Sequence, residues 1–303
     1  MSGSRETRRA ALVMVAMVVL WGYSWVASKV ALKHASALDF TAIRVELGIV
    51  TLLAAMLWTG RSFRPRHWQA LLFIGCIQTA GFLVLKAWAL TGGAPGKTSV
   101  LVFIMPFWVL LLAWPVLHER IHGLQWVAVV LAAMGLVLVL EPWALHASLF
   151  SNSLAILAGI FWAIGAVFAK RLHNRIQVDP LSFTFWQMLI GLVLILAAQA
   201  VAPSQPIAWN AEFVANALFC GALATGTGWL MWLYVLHRLP AGTTSLATLA
   251  VPVIAALASW LQLGEQPGSF ELAGMLLIGL ALTLLSWLSI RKHEIPEPMT
   301  GQE

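Results

Sequence analysis

Charge is what this chain has least of. Only 10% of its 303 residues are Asp, Glu, Lys or Arg, against about 25% in an ordinary soluble domain, while 60% are hydrophobic. That shortage excludes a solvated globular fold and makes a lipid bilayer the expected surroundings. Cysteine is almost missing too. Cys76 and Cys220 both sit inside long apolar runs, which excludes a disulfide framework and offers no catalytic thiol. The histidines (His34, His67, His118, His122, His146, His173, His237 and His293) fall at or near the ends of apolar runs, without zinc-type spacing or a convergent acid or nucleophile. No metal, no cofactor and no enzymatic centre is therefore expected. Nor is any polar stretch long enough for a separate soluble domain. The net charge of +6 raises nucleic acid as a partner, but the basic residues are scattered at the ends of apolar runs. That placement suits orientation in a membrane and argues against nucleic acid.

What is present is length in apolar runs. Crossing about 30 Å of hydrocarbon takes roughly 20 apolar residues, and ten segments meet that rule to within a few residues: 10–31, 38–58, 68–90, 94–116, 123–141, 151–171, 180–201, 211–236, 241–262 and 269–290. With no water to satisfy backbone groups in lipid, each is expected to be a helix. The apolar start resembles a signal peptide, but no small-residue cleavage site follows, and it runs on into Trp21 and Trp25; it reads as a retained first span. Lys and Arg fix the orientation. With the N-terminus inside, thirteen of them, among them Arg8, Arg9, Arg61, Arg64, Arg66 and Arg175, fall on the cytoplasmic side. Only Lys29, Lys33 and Lys97 fall outside. The rule of positive residues inside therefore puts both tails, 1–9 and 291–303, in the cytoplasm.

The chain also repeats itself. Residues 75–119 slide onto 221–265 by 146 positions without a gap. Gly75 meets Gly221, Thr79 meets Thr225, Gly96 meets Gly242, Thr98-Ser99 meets Thr244-Ser245, Pro106 meets Pro252, Trp114 meets Trp260 and Glu119 meets Glu265. Coincidences of glycine, proline, tryptophan and glutamate mark a duplication. The halves are 10–141 and 151–290, with five helices each. Five is odd, so the second half enters the membrane upside down. Two inverted repeats around a midplane site are the architecture of secondary transporters. The expected fold is thus all-α and polytopic: ten transmembrane helices in two inverted five-helix repeats around a central cavity.

Several features together resemble the drug/metabolite transporter superfamily in its ten-helix EamA-type branch. They are Trp21-Gly22 in helix one, echoed by Trp162 in helix six, and the Trp21-to-Lys29 spacing that recurs from Trp162 to Lys170. The others are the Gly264-Glu265 end of helix nine, echoed by His118-Glu119, and the mid-helix prolines 106 and 252. His118 and Ala163 stand where the pattern has glycine. The resemblance covers residues 10–290 and implies a two-lobed bundle, with helices 1–4 and 6–9 around a cavity and helices 5 and 10 outside. Members move amino acids, drugs, nucleotide sugars and organic phosphates. Within that range the chain looks like the bacterial aromatic amino-acid exporters of the inner membrane.

Candidate residues follow from polarity at depth. Arg44 and Glu46 lie within helix two, where a charge is costly and marks a functional hypothesis. The residues leave open whether Arg44 snorkels or ties loops together, and whether Glu46 couples protons or pairs with Lys86. Gln78, Phe82 and Lys86 share one face of helix three. That stripe reads as a polar cavity wall, with Lys86 placed for a substrate carboxylate, though Gln78 also suits helix-to-helix bonding. Most of the 16 tryptophans have belt positions at span ends, Trp58, Trp68, Trp143, Trp209 and Trp287 among them. Trp21, Trp25, Trp162, Trp186, Trp229 and Tyr234 lie deeper or on the helices implied to line the cavity, and an apolar aromatic cavity accepts amphipathic metabolites. Pro106 and Pro252 interrupt backbone bonding mid-span; hinge and static kink are both open. Gly96-Lys97-Thr98-Ser99 lacks the upstream glycine of a phosphate loop, and Glu119 and Glu265 sit where carboxylates favour a following helix.

The expected function is a secondary transporter exporting small amphipathic metabolites, amino acids with large apolar side chains foremost, by alternating access. Export of cationic drugs, a membrane enzyme and a channel are the rivals. One chain already supplies both lobes, so a monomer suffices; the partners are a small-molecule substrate and the bilayer.

Overall fold

The computed structural model describes residues 2–117, 123–141, 149–173, 179–202, 206–236 and 248–294. His118, Glu119, Gly242, Thr244, Ser245 and most of the 142–150 loop lie outside them. Among the described residues the chain is entirely helical. The helices are α1 (Ser2–Ala31), α2 (Ala37–Thr59), α3 (Trp68–Gly92) and α4 (Pro95–Phe103 continued by Met105–Leu117). Next come α5 (Leu124–Leu140), α6 (Leu149–His173) and α7 (Pro180–Val201). The last are α8 (211–236), α9 (Ala250–Leu263) and α10 (Ser269–Glu294). Eight of these are long and apolar enough to cross a membrane, and the shorter apolar helices α5 and α9 complete ten. This is a multi-pass membrane protein.

The helix starts are set by local chemistry. Ser36 accepts the Asp39 backbone N–H at the head of α2, and Asp179 accepts those of Leu181 and Ser182 at the head of α7, with Pro180 following. Asn210 does the same for Phe213 in α8. Each satisfies a donor that the first turn leaves unpaired. Gly60 ends α2 with φ 61°, a left-handed turn that glycine adopts without a Cβ clash.

Two helices depart from α geometry at matching places. Gly75–Gly81 in α3 and Phe219–Thr227 in α8 are π-helical. The wide turn of α8 leaves room that side chains use: Thr225 and Thr227 hydroxyls donate to the carbonyls five residues back, Cys220 at 2.8 Å and Ala222 at 3.1 Å. The wide turns also bring glycine edges against other helices. A Cβ on Gly75 would lie 2.8 Å from the Gln187 carbonyl of α7, and one on Gly221 would lie 2.9 Å from the Arg44 carbonyl of α2. Gly191 in turn meets Thr79, and Gly48 meets Thr225. The same packing is thus made twice, α3 on α7 and α8 on α2.

Four helices, α1, α2, α8 and α9, pack together as one bundle; α3, α4, α6 and α7 form another. They meet along α2 against α7 and along α4 against α9. At the α4–α9 crossing a Cβ on Gly96 would sit 2.8 Å from the Ala256 Cα. Helices α5 and α10 pack chiefly on each other, at Gly135 and Gly274, each pressed against the other's backbone oxygen.

The prolines act as sequence chemistry requires. α4 breaks at Ile104, before Pro106, and α9 is interrupted at Leu249, before Pro252. Proline has no N–H to offer the carbonyl four residues back. In α4 that carbonyl belongs to Val102, and Gly159 of α6 comes close enough that a Cβ there would lie 2.9 Å from it.

Candidate functional site

Where the two bundles face each other, α1, α2 and α3 enclose two basic side chains. Arg44 is 8% exposed and Lys86 is 5% exposed. With Ser28, Phe40, Thr41 and Leu83 they line one space, which in this state is closed to less than the width of a water molecule. Arg44 Nε donates to Thr225 Oγ1 at 2.9 Å and Nη1 to Ser28 Oγ at 3.3 Å. Lys86 Nζ sits 3.9 Å from the centroid of the Trp25 ring. A desolvated cation over a tryptophan face gains about 2 kcal/mol, which partly replaces its lost hydration. Neither side chain forms an ion pair among the described residues.

An aromatic wall continues from Trp25. Its ring centroid lies 6.5 Å from that of Phe103, which lies 5.5 Å from Trp162, which lies 5.2 Å from Phe82. Alpha-helical spacing explains the assembly: Trp21, Trp25 and Ser28 fall on one face of α1, and Phe82 and Lys86 on one face of α3. A second group gathers at Trp21, whose ring lies 6.4 Å from Trp229 and 5.8 Å from Trp232. Trp21 Nε1 donates to the Ala224 carbonyl at 2.9 Å, an acceptor inside the π-helical turn of α8.

The structure therefore brings together Trp21, Trp25, Arg44, Phe82, Lys86, Trp162 and Trp229. Gln78 lies one step down the α3 stripe, against α6, where a Cβ on Gly165 would be 3.1 Å from the Gln78 Cβ. Three expected residues lie elsewhere. Glu46 is exposed on the outer side of α2, beside exposed Val50, and not among the buried cations. Trp186 packs near Leu71 and Phe183 at the end of α7 that carries Ser182, with its ring edge-on to Phe185. Tyr234 packs with Ala10 and Val235 near the start of α1.

Two features were not foreseen from the residues. One is that Gln187 of α7 is the counterpart of Arg44: Ser36 and Asp179, Phe40 and Phe183, Thr41 and Thr184, and Gly48 and Gly191 pair at a spacing of 143 residues, and Gln187 is likewise buried. The other is the tie made by Lys29. Its Nζ donates to the carbonyls of Leu90 at 2.7 Å, Thr91 at 3.2 Å and Gly93 at 3.0 Å. Those are the unpaired acceptors at the end of α3, where a cation is favoured. Lys29 thereby joins the two bundles at the end where Gly96 crosses Ala256.

Comparison with known proteins agrees with this architecture. Residues 8–141 and 149–287 each match the model for the EamA-like transporter family. The uncharacterized transporter YoaV of Bacillus subtilis is 29% identical over 273 residues, covering 88% of this chain and 93% of that protein. A probable amino-acid metabolite efflux pump of Escherichia coli is 25% identical over 283 residues, covering 90% of this chain and 93% of the pump. A solved crystal structure superposes with a TM-score of 0.68 at 17% identity, covering 95% of this chain and 99% of its own; at that identity it speaks for the fold alone.

Proposed function

The chain belongs to the EamA-like transporter family, and from that premise we propose that it is a secondary transporter exporting small amphipathic metabolites, amino acids with aromatic or other large apolar side chains among them. The observation that carries this reading is Lys86 over the Trp25 ring, beside Phe82 and Trp162, at the boundary between the two bundles. A carboxylate has a cation to meet there, and an apolar body has rings to lie against. The family resemblance of the efflux pump from Escherichia coli, named for amino-acid metabolites, supports the same substrate class.

Mechanistically, the two halves are read as inverted repeats, 10–141 and 151–290, that exchange conformations and expose the site to each side in turn. Breaks before Pro106 and Pro252 give each half a place to bend. On this reading the protein works as a monomer in a bacterial inner membrane, with both termini in the cytoplasm. The test is uptake into proteoliposomes with a panel of amino acids and organic cations, in wild type, Lys86→Ala and Gln78→Ala. A charge-assisted contact contributes about 1.5–3 kcal/mol, so the expected loss of affinity for aromatic amino acids is roughly ten- to a hundred-fold. Wild-type affinity in both variants would move the site elsewhere.

A further inference from the structure

The buried cluster carries charge of one sign only. Arg44 and Lys86 line the same closed space, and both are more than nine-tenths buried. Among the described residues, the carboxylates of Asp39, Asp179, Glu212, Glu265 and Glu271 are engaged by Gln199, Arg61, His34, Ser259 and Lys97 respectively. Glu46 is exposed on the other side of α2, and Glu141 ends α5, a helix that packs chiefly on α10 and away from this cluster. Among the described residues no carboxylate pairs with either cation. Among the described residues that line this space, none is acidic and able to receive a substrate's ammonium group.

The fold does not require these charges. At the positions that correspond to Arg44 and Lys86 in the second half stand Gln187 and Trp232; the Gln187 backbone meets Gly75 as that of Arg44 meets Gly221, and Trp232 packs against Trp21. A neutral amide and a ring serve there. Two cations at membrane depth are each expensive without a counter-charge, so their presence in one half only calls for an anion that comes and goes. Arg44 is suited to it: Nε and Nη1 are tied to Thr225 and Ser28, while Nη2 bonds none of the described residues. The planar guanidinium can present that edge to a carboxylate with its orientation already fixed. Hydroxyls of Ser28 and Thr41 line the same space.

We propose that Arg44 and Lys86 together receive the substrate's carboxylate, and that the site reads this anion while rejecting an ammonium. The inference rests on the transporter reading above and sharpens it: a carboxylate with an aromatic body is the ligand class, and an amino acid binds through its carboxylate despite its ammonium. Because the space is closed in this state, α1, α2 and α3 part to admit the ligand. Specificity comes from the cost of burying a third, unpaired cation beside these two.

Three ligands with one phenyl ring test it: 3-phenylpropionate as the anion, phenylalanine as the zwitterion and phenethylamine as the cation. Binding is measured by calorimetry on the purified full chain, and exchange by counterflow in proteoliposomes. The expected affinity order is anion, zwitterion, cation, with at least ten-fold between the first and last. Lys86→Met and Arg44→Gln, the latter copying the second half, each weaken 3-phenylpropionate ten-fold or more and do not weaken phenethylamine, whose binding improves as the repelling charge is lost, while Lys86→Arg keeps anion affinity. Equal losses for all three ligands, or phenethylamine binding as tightly as 3-phenylpropionate, would overturn the proposal. Phenylalanine exchange that needs chloride in the medium would overturn it as well, by assigning the anion to the buffer. If phenylalanine exchanges and 3-phenylpropionate does not, the anion reading fails and the transporter reading stands. If none of the three exchanges, the aromatic-substrate reading itself fails.

Discussion

Arg44 Nε donates a 2.9 Å hydrogen bond to Thr225 Oγ1 across 181 residues of sequence, and Thr225 Oγ1 in turn donates to the Cys220 carbonyl, five residues back in the π-helical turn of α8. The buried guanidinium on α2 is thereby oriented by an irregular turn on another helix. Removing the acceptor leaves a buried charge short of one partner, at a cost of about 1.5–3 kcal/mol. Thr225→Val, nearly the same shape, is expected to lower the melting temperature in detergent, and Thr225→Ser to recover most of it. A valine variant as stable as wild type would show that the bond contributes nothing.

The same contact predicts a rescue. A Cβ on Gly48 would lie 2.8 Å from Thr225 Cγ2, and 3.4 Å from Thr225 Cβ. Gly48→Ala therefore collides mainly with one methyl group, and overpacking of this kind costs about 1–3 kcal/mol. Adding Thr225→Ser removes that methyl and keeps the hydroxyl for Arg44. Thermal melts should show the double variant close to wild type and Gly48→Ala alone well below it. If the two substitutions simply add, the close packing of α2 on α8 is not what makes Gly48 necessary.

Much of this was legible in the residues, and what was missed has physical reasons. Apolar length alone located the spans, since lipid demands it of each, and the coincidences of Gly75 with Gly221 and Thr79 with Thr225 marked the turns that later proved special. That those turns are π-helical was hidden: an extra residue per turn shifts backbone bonds without changing hydropathy. The match of Arg44 with Gln187 was hidden for another reason. It falls at a spacing of 143 residues, while α3 and α8 match at 146, so an ungapped comparison at one offset cannot show both. Glu46, two residues from Arg44, turns outward because neighbours two apart on a helix lie on different faces. Trp186 and Tyr234 share the deep apolar character of Trp25, and composition could not say which helix ends they would occupy.

The prolines predict a split between binding and turnover. Pro106 follows the break at Ile104, and Pro252 follows the one at Leu249. Alanine at either position restores an N–H and straightens the helix. Pro106→Ala and Pro252→Ala are expected to slow transport several-fold more than they weaken substrate binding. Turnover unchanged in both would reduce the prolines to static kinks.

Orientation is checked by single-cysteine labelling from each side of the membrane, in a background lacking Cys76 and Cys220. Positions in the 61–67 loop and the C-terminal tail should react only from the cytoplasm, and positions in 142–150 only from outside. Labelling of the 142–150 loop from the cytoplasmic side alone would invert the assignment and, with it, the side on which Lys29 ties α1 to α3.

Alternating access itself is tested most directly by counterflow. Proteoliposomes preloaded with unlabelled phenylalanine are diluted into a trace of labelled phenylalanine, and internal label is followed over time. A carrier whose two bundles expose one site in turn gives a transient accumulation above equilibrium, saturable in external substrate and reduced at least ten-fold by Lys86→Ala. Label that enters without overshoot, at a rate linear in concentration and indifferent to the internal load, would contradict the account and describe a continuous pore.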